Sequence, residues 1–331
     1  MTAPLDVSAG EPRAEPGVAG GGGTPIRGRS LGQIAWMRLR RDKVAMGGGL
    51  VVIFLVLVAI FAPVIVDWFG HPPNEFHQEM IDPATMQPKG GTGISKEFLF
   101  GVEPVNGRDL FSRVVYGARI SLLIAFFATL VSVVIGTTLG VIAGYFRGWV
   151  DTLISRAMDV FLAFPLLVLA MALVGVLGQF ETELGVKGDT LRILLLIFVI
   201  GFFNWAYIGR IIRGQTLSLR EREFVDAARC LGASGPYILF REILPNLIAP
   251  ILVYATLLIP QNVLFEAALS FLGVGVQPPT PTWGGMLASA VRYYTVPHFM
   301  FFPGMAIFIT VLAFNLFGDG LRDALDPKSS R

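Results

Sequence analysis

The chain has 331 residues, 53% of them hydrophobic and 15% charged, with a formal net charge of +2. A soluble globular domain carries about 25% charged residues, so this composition fits lipid as the solvent, and the near-neutral balance argues against a nucleic-acid partner. The single cysteine, Cys230, excludes an intrachain disulfide, and His71, His77 and His298 lack ligand spacing, which argues against metal chemistry.

Residues 1–35 are rich in Gly, Pro and Ala and have almost nothing to bury, which predicts a disordered tail. They lack the apolar core of a signal peptide, so the first apolar run is expected to stay as an uncleaved anchor. A helix needs roughly 20 apolar residues to cross a bilayer. Six segments meet or approach that length, at 44–66, 120–144, 157–178, 191–209, 248–272 and 300–318. The third contains Asp159 and Pro165, and the fifth contains Pro250, Pro260 and Glu266, which leaves re-entrant segments open. The organisation expected is a tail (1–35), a basic stretch with the first span (36–66), an outer loop (67–117), a core (118–318) with a polar loop at 221–246, and a C-terminal tail (319–331).

With the N-terminus inside, the inside segments 1–43, 145–156, 210–247 and 319–331 hold 18 of the 26 Lys and Arg residues. That bias predicts cytoplasmic termini and a cytoplasmic 221–246 loop.

On the outer side, "NGRD" precedes the second span. Gly107, Arg108 and Asp109 are candidates for an outer-side contact, or for a turn with Asp109 capping an interfacial helix. Glu266 is the sharpest intramembrane residue, because an ionised carboxylate at mid-bilayer costs on the order of 3 kcal/mol. It is a candidate for the translocation path or for a structural polar contact. Asp159 is expected at the interface. Residues 277–283, "QPPTPTW", cannot form regular helix and are expected to cap the outer side, with Trp283 at the interface.

The loop "DAARCLGASGPYILFREILPN" (226–246) is hinged. Phe224, Ala227, Ala228 and Leu231 fall on one helical stripe, Gly232 stands where a left-handed cap ends a helix, and Ser234 with Pro236 starts a second one. An amphipathic connector on the membrane surface would read the same way as a docking knob.

Asp226-Ala227-Ala228, Gly232 and Leu244-Pro245 resemble the "EAA" loop of permease subunits of ATP-binding-cassette importers: Glu-Ala-Ala, three residues, Gly, nine residues, Ile, one residue, Leu-Pro. Asp226 stands where the pattern has Glu, and Glu242 where it has Ile, with Ile243 beside it. Residues 36–66, 106–121 ("NGRDLFSRVVYGARIS"), 266–284 ("EAALSFLGVGVQPPTPTWG") and 303–327 are similar to the C-type branch of dipeptide and oligopeptide permeases. Val102-Glu103 departs from the branch's usual Thr-Asp, which puts the donor protein and substrate in doubt.

The resemblance implies an all-α, polytopic type I importer permease fold with about six spans and both termini cytoplasmic. It implies contacts to the ATPase by Glu223, Asp226, Ala227, Ala228, Arg229, Gly232, Ile243, Leu244 and Pro245. The partners implied are a second related permease in a heterodimer, two cytoplasmic ATPase subunits or domains, an extracytoplasmic substrate-binding protein and a peptide, in the bacterial cytoplasmic membrane. No Gly-x-x-x-x-Gly-Lys-Ser/Thr loop is present, so ATP-Mg is expected on the partners, with no cofactor on this chain and no enzymatic site of its own. A relative importing nickel or another small solute would share this pattern. An ATPase-independent secondary transporter would leave the hinged loop unexplained, and a membrane hydrolase would need a nucleophile and base that the chain does not group.

Overall fold

The computed structural model describes residues 31–177 and 188–326; of the expected N-terminal tail, residues 1–30 lie outside that range. In chain order the helices are α1 (Leu31–Arg41), α2 (Lys43–Ile60), α3 (Ala62–Phe69), α4 (Leu110–Phe146), α5 (Gly148–Ala163), α6 (Leu166–Leu177), α7 (Gly188–Arg220), α8 (Glu223–Cys230), α9 (Gly235–Phe271), α10 (Trp283–Val291) and α11 (Pro297–Leu325). The only pairing of extended chain among the described residues is two isolated bridges in the outer loop. Helices α2, α4, α7, α9 and α11 are each long and apolar enough to cross a membrane, and the bent pair α5–α6 makes a sixth candidate.

Helix α4 is the spine, packed most extensively on α7 and also on α2 and α9. Lipid tails are as apolar as Leu, so helices in a membrane gain by close packing, which small residues permit. Gly136, Gly140 and Gly144 recur every fourth residue on the α7 side of α4. A Cβ on Gly136 would sit 2.7 Å from the Trp205 carbonyl oxygen, and one on Gly140 would sit 2.6 Å from that of Gly209. Ser132 Oγ adds an interhelical bond, donating to the Gly201 carbonyl at 2.8 Å.

Several expectations need correction. Residues 31–35, assigned to the tail, begin α1, because Ala35 and Leu39 are buried, Leu39 against Ala45 and Ala324. The first span breaks at Phe61: continued helix would drive the Pro63 ring into the Ala59 carbonyl, whereas in the first turn of α3 no N–H is needed. The second span starts at Leu110, ten residues early, inside the expected outer loop. The third, for which a re-entrant course was open, is two helices bent by 83°. Phe164 precedes Pro165 and takes extended angles (φ −79°, ψ 134°), as that position favours. The second arm of the hinged loop runs on into the fifth span, as its sequence leads one to expect, and the two are one helix, α9. A π turn at Ile238–Ile243 leads into Pro245, and Pro250 and Pro260 lie inside it.

The outer loop folds around buried charge. Arg113, on α4, donates to Glu103 at 2.5 Å, and Arg108 donates to the same carboxylate at 2.7 Å. Arg113 also reaches the Pro73 and Pro279 carbonyls and Asn74, joining the two outer segments to the spine. Glu103 is buried in this network and Val102 is buried beside it against Ile81 and Phe98, so the departure from the branch pattern is internal. His71 and His77, apart in sequence, come together with ring centroids 4.9 Å apart around Phe98.

Candidate coupling site

The hinged loop is a two-helix elbow. Helix α8 ends in paired bonds from Ala233 N to the Ala228 carbonyl (3.0 Å) and from Gly232 N to the Arg229 carbonyl (2.9 Å), with Gly232 at φ +80° between them. That left-handed position is why glycine stands there, since a Cβ would cost about 1–2 kcal/mol even with open space around it. The second arm starts as the sequence predicts, with Ser234 extended and Pro236 in the first turn, but the Ser234 hydroxyl makes no capping bond.

Helix α8 has one inward residue and an outward stripe. The residue that packs inward is Val225, fully buried with Ile238, Ile243 and Leu247 of α9, Ile208 and Ile212 of α7, and Val141 of α4. Of the predicted stripe only Ala228 leans on this cluster; Phe224 and Ala227 are exposed, and Leu231 is 88% exposed. The stripe turns outward because the helix ends beneath the elbow meet the face one residue along from it. It leaves an apolar ridge with none of the described residues over it. Asp226 and Arg229 pair at 2.9 Å beside the ridge, and Glu223 is exposed at the start of α8. Ile243 is buried in the cluster, Leu244 half-buried and Pro245 exposed.

The elbow is stitched to the spans. Arg220, at the end of α7 and 4% exposed, donates to the carbonyls of Gly144 (3.2 Å) and Tyr145 (2.8 Å). These are end-of-helix carbonyls that α4 itself leaves unpaired. Arg220 also bonds Glu221, which pairs with Arg147 in the α4–α5 connection. Two further ion pairs tie α5 to α7: Arg213 grips Asp151 through two bonds (2.5 and 2.8 Å), and Arg210 meets Asp159 at 2.5 Å. Val225 and Arg220 are the residues that sequence reading missed. The signal for Arg220 was an arginine ending a long apolar helix directly before the loop; Val225 differed from its exposed neighbours in nothing the pattern could separate.

The remaining candidates lie elsewhere. Asp109 is fully buried and caps α4, accepting from Phe111 N (3.1 Å), Ser112 Oγ (2.5 Å) and His71 N (3.0 Å). Gly107 is also buried, with φ +69° against the backbone of His77, and the half-buried Arg108 is paired with Glu103. Glu266 is fully buried among α4, α9 and α10. It accepts from Ser121 Oγ at 2.8 Å and Ser270 Oγ at 2.7 Å, with no cation in contact among the described residues. Trp283 is buried rather than interfacial, its Nε1 donating to the Val114 carbonyl at 3.0 Å. Nothing in the elbow forms a nucleophile–base pair; its geometry suits transmission of movement.

Comparison with known proteins agrees with this architecture. Residues 136–331 match the family described as binding-protein-dependent transport system inner membrane component, and residues 30–88 match the N-terminal transmembrane domain of oligopeptide transport permease C. The chain is 42% identical over 295 residues to a dipeptide transport system permease protein of Alkalihalophilus pseudofirmus, covering 89% of each chain. It is 44% identical over 294 residues to a glutathione transport system permease protein of Escherichia coli, covering 88% of this chain and 89% of the relative. A glutathione permease protein of Pectobacterium atrosepticum is 40% identical over 294 residues, covering 88% and 90%. The chain therefore belongs to the binding-protein-dependent transport system inner membrane components, in the dipeptide and oligopeptide permease branch, as a non-catalytic, multi-pass subunit of a bacterial inner-membrane ABC importer.

Proposed function

We propose that this chain forms half of the pore of an importer for dipeptides or short oligopeptides and that the elbow couples the pore to ATP hydrolysis on partner subunits. The observation that carries the reading is the two-sided elbow: an outward apolar ridge of Phe224, Ala227 and Leu231, and an inward Val225 seated on the ends of α4, α7 and α9. The partners of this reading are a related second permease, two cytoplasmic ATPases holding ATP-Mg, and an external binding protein. The ridge, with Glu223, Asp226 and Arg229 beside it, enters a groove on an ATPase. When the nucleotide closes the ATPase pair, Val225, Ile243 and Arg220 carry the displacement into the helices. Nucleotide biases the pore only as far as the ATPases hold its two states differently. Both termini and the elbow are then cytoplasmic, consistent with the basic-residue bias.

The peptide assignment draws on the dipeptide and glutathione transport named for the relatives. Glutathione is itself a small peptide, which favours this class over nickel.

The test is co-expression with the companion permease and the ATPases, comparing wild type with Leu231→Asp. A charge on the ridge is expected to abolish ATPase co-purification while the permease pair still assembles. Undiminished ATPase capture and peptide uptake in Leu231→Asp would reduce the elbow to a surface connector.

A further inference from the structure

Midway along α7, Asn204 donates from Nδ2 to Asn262 Oδ1 of α9 at 2.9 Å, and Asn262 donates to Thr129 Oγ1 of α4 at 2.9 Å. This chain of bonds fixes Asn204 at the seam between α7 and α9, half-buried, with its own side-chain carbonyl unpartnered among the described residues. At the same depth Gln261 of α9 is exposed, and Tyr207, one turn along α7 toward the elbow, is 46% exposed; neither makes a side-chain hydrogen bond among the described residues.

Helical geometry brings these groups to one side. Tyr207 lies about 60° around α7 from Asn204, and Gln261 about 100° around α9 from Asn262. The two helices run antiparallel, joined through the elbow, so both rotations lead to the same flank of the seam. It is the flank away from α4, which meets Gly201 of α7 and Glu266 of α9. On the outer half of the molecule that flank is roofed by α6, whose Ala170 and Val174 pack on Leu196, Ile200 and Leu269. The roof ends at the 83° bend beside Pro165. Below it α5 packs on α7 through Phe161 and Trp205, and Tyr207 and Gln261 stand uncovered by the described residues.

An amide or hydroxyl facing hydrocarbon without a partner costs roughly 2–7 kcal/mol, so lipid is a poor cover for this stretch. We propose that the flank of the α7–α9 seam below the bend is a wall of the conducting path, and that Asn204, Tyr207 and Gln261 offer hydrogen bonds to the main chain of a passing peptide. The three are uncharged, and between them they donate and accept, matching peptide N–H and C=O groups without selecting side chains. Fixing Asn204 in advance removes the cost of ordering it. The proposal rests on the peptide-importer reading and names the surface that meets its substrate. The other cover for such groups is a helix of the companion permease.

The experiment uses the assembled importer with Cys230→Ser and Gln261→Cys, a water-soluble maleimide, and a transported dipeptide. Gln261→Cys is expected to label in the assembled complex, and saturating dipeptide to slow labelling about tenfold. Tyr207→Phe and Gln261→Leu are each expected to lower kcat/KM for uptake by about three- to tenfold, the equivalent of one hydrogen bond, with all subunits still co-purifying. Labelling of the isolated chain but not of the complex would place a companion helix on the seam and overturn the proposal. Labelling indifferent to dipeptide, with uptake unchanged in both variants, would overturn it as well. Failure of the wild-type chain to capture ATPases is a separate result; it removes the importer mechanism itself and this inference with it.

Discussion

Val225→Ala separates the transmitting face of the elbow from its docking face. Val225 is fully buried between α8 and the ends of α4, α7 and α9, while Phe224 and Leu231 on the outer ridge are untouched by the change. Removing two methyl groups forfeits about 0.8 kcal/mol of transfer free energy each, and the cavity left behind brings the total to about 2 kcal/mol. That is roughly a 30-fold shift in the balance between a seated and a loose elbow, since about 1.4 kcal/mol is a factor of ten. ATPase capture should be preserved, because the ridge is intact. Peptide transported per ATP hydrolysed should fall at least several-fold, measured in proteoliposomes by paired uptake and phosphate-release assays. An unchanged ratio, with the variant shown to be folded, would refute the idea that movement reaches the spans through this contact. Equal loss of ATPase capture and uptake would show that α8 simply unfolds without Val225.

Two further predictions test the scaffold. Gly140→Leu places a side chain where a Cβ alone would lie 2.6 Å from the Gly209 carbonyl; overpacking of about 1–3 kcal/mol should separate α4 from α7 and lower the Tm of the purified complex, whereas Gly214→Leu, with open space at its Cβ, should not. Glu103→Ala strands Arg113, 4% exposed, without its carboxylate; an uncompensated buried charge costs about 3–5 kcal/mol, so limited proteolysis should cut the outer loop, and Glu103→Leu with Arg113→Met should restore resistance.

What composition and periodicity determined were the lipid solvent, the places of the spans and the hinge at Gly232. Each depends on local chemistry: apolar runs, prolines, and a backbone position that only glycine takes without strain. The long spans were legible for this reason, and so was the Ser234–Pro236 start of the second arm. The tertiary structure decided which side of each helix meets what. Phe224, Ala227 and Leu231 form as good an apolar stripe as any core face, yet Val225 is the residue buried, because the ends of α4 and α7 lie on its side. Asp109 was legible as a possible helix cap and is one, but its full burial was not, and Glu103 lies buried as the hub of an ion network that no local pattern announced. Glu266 announced itself as a costly group, but its partners Ser121 and Ser270 could be named only once α4 lay beside α9. The seam of Asn204, Tyr207 and Gln261 was invisible for the same reason: three unremarkable polar residues on two helices acquire a common side only when the helices are paired antiparallel and one flank is left uncovered.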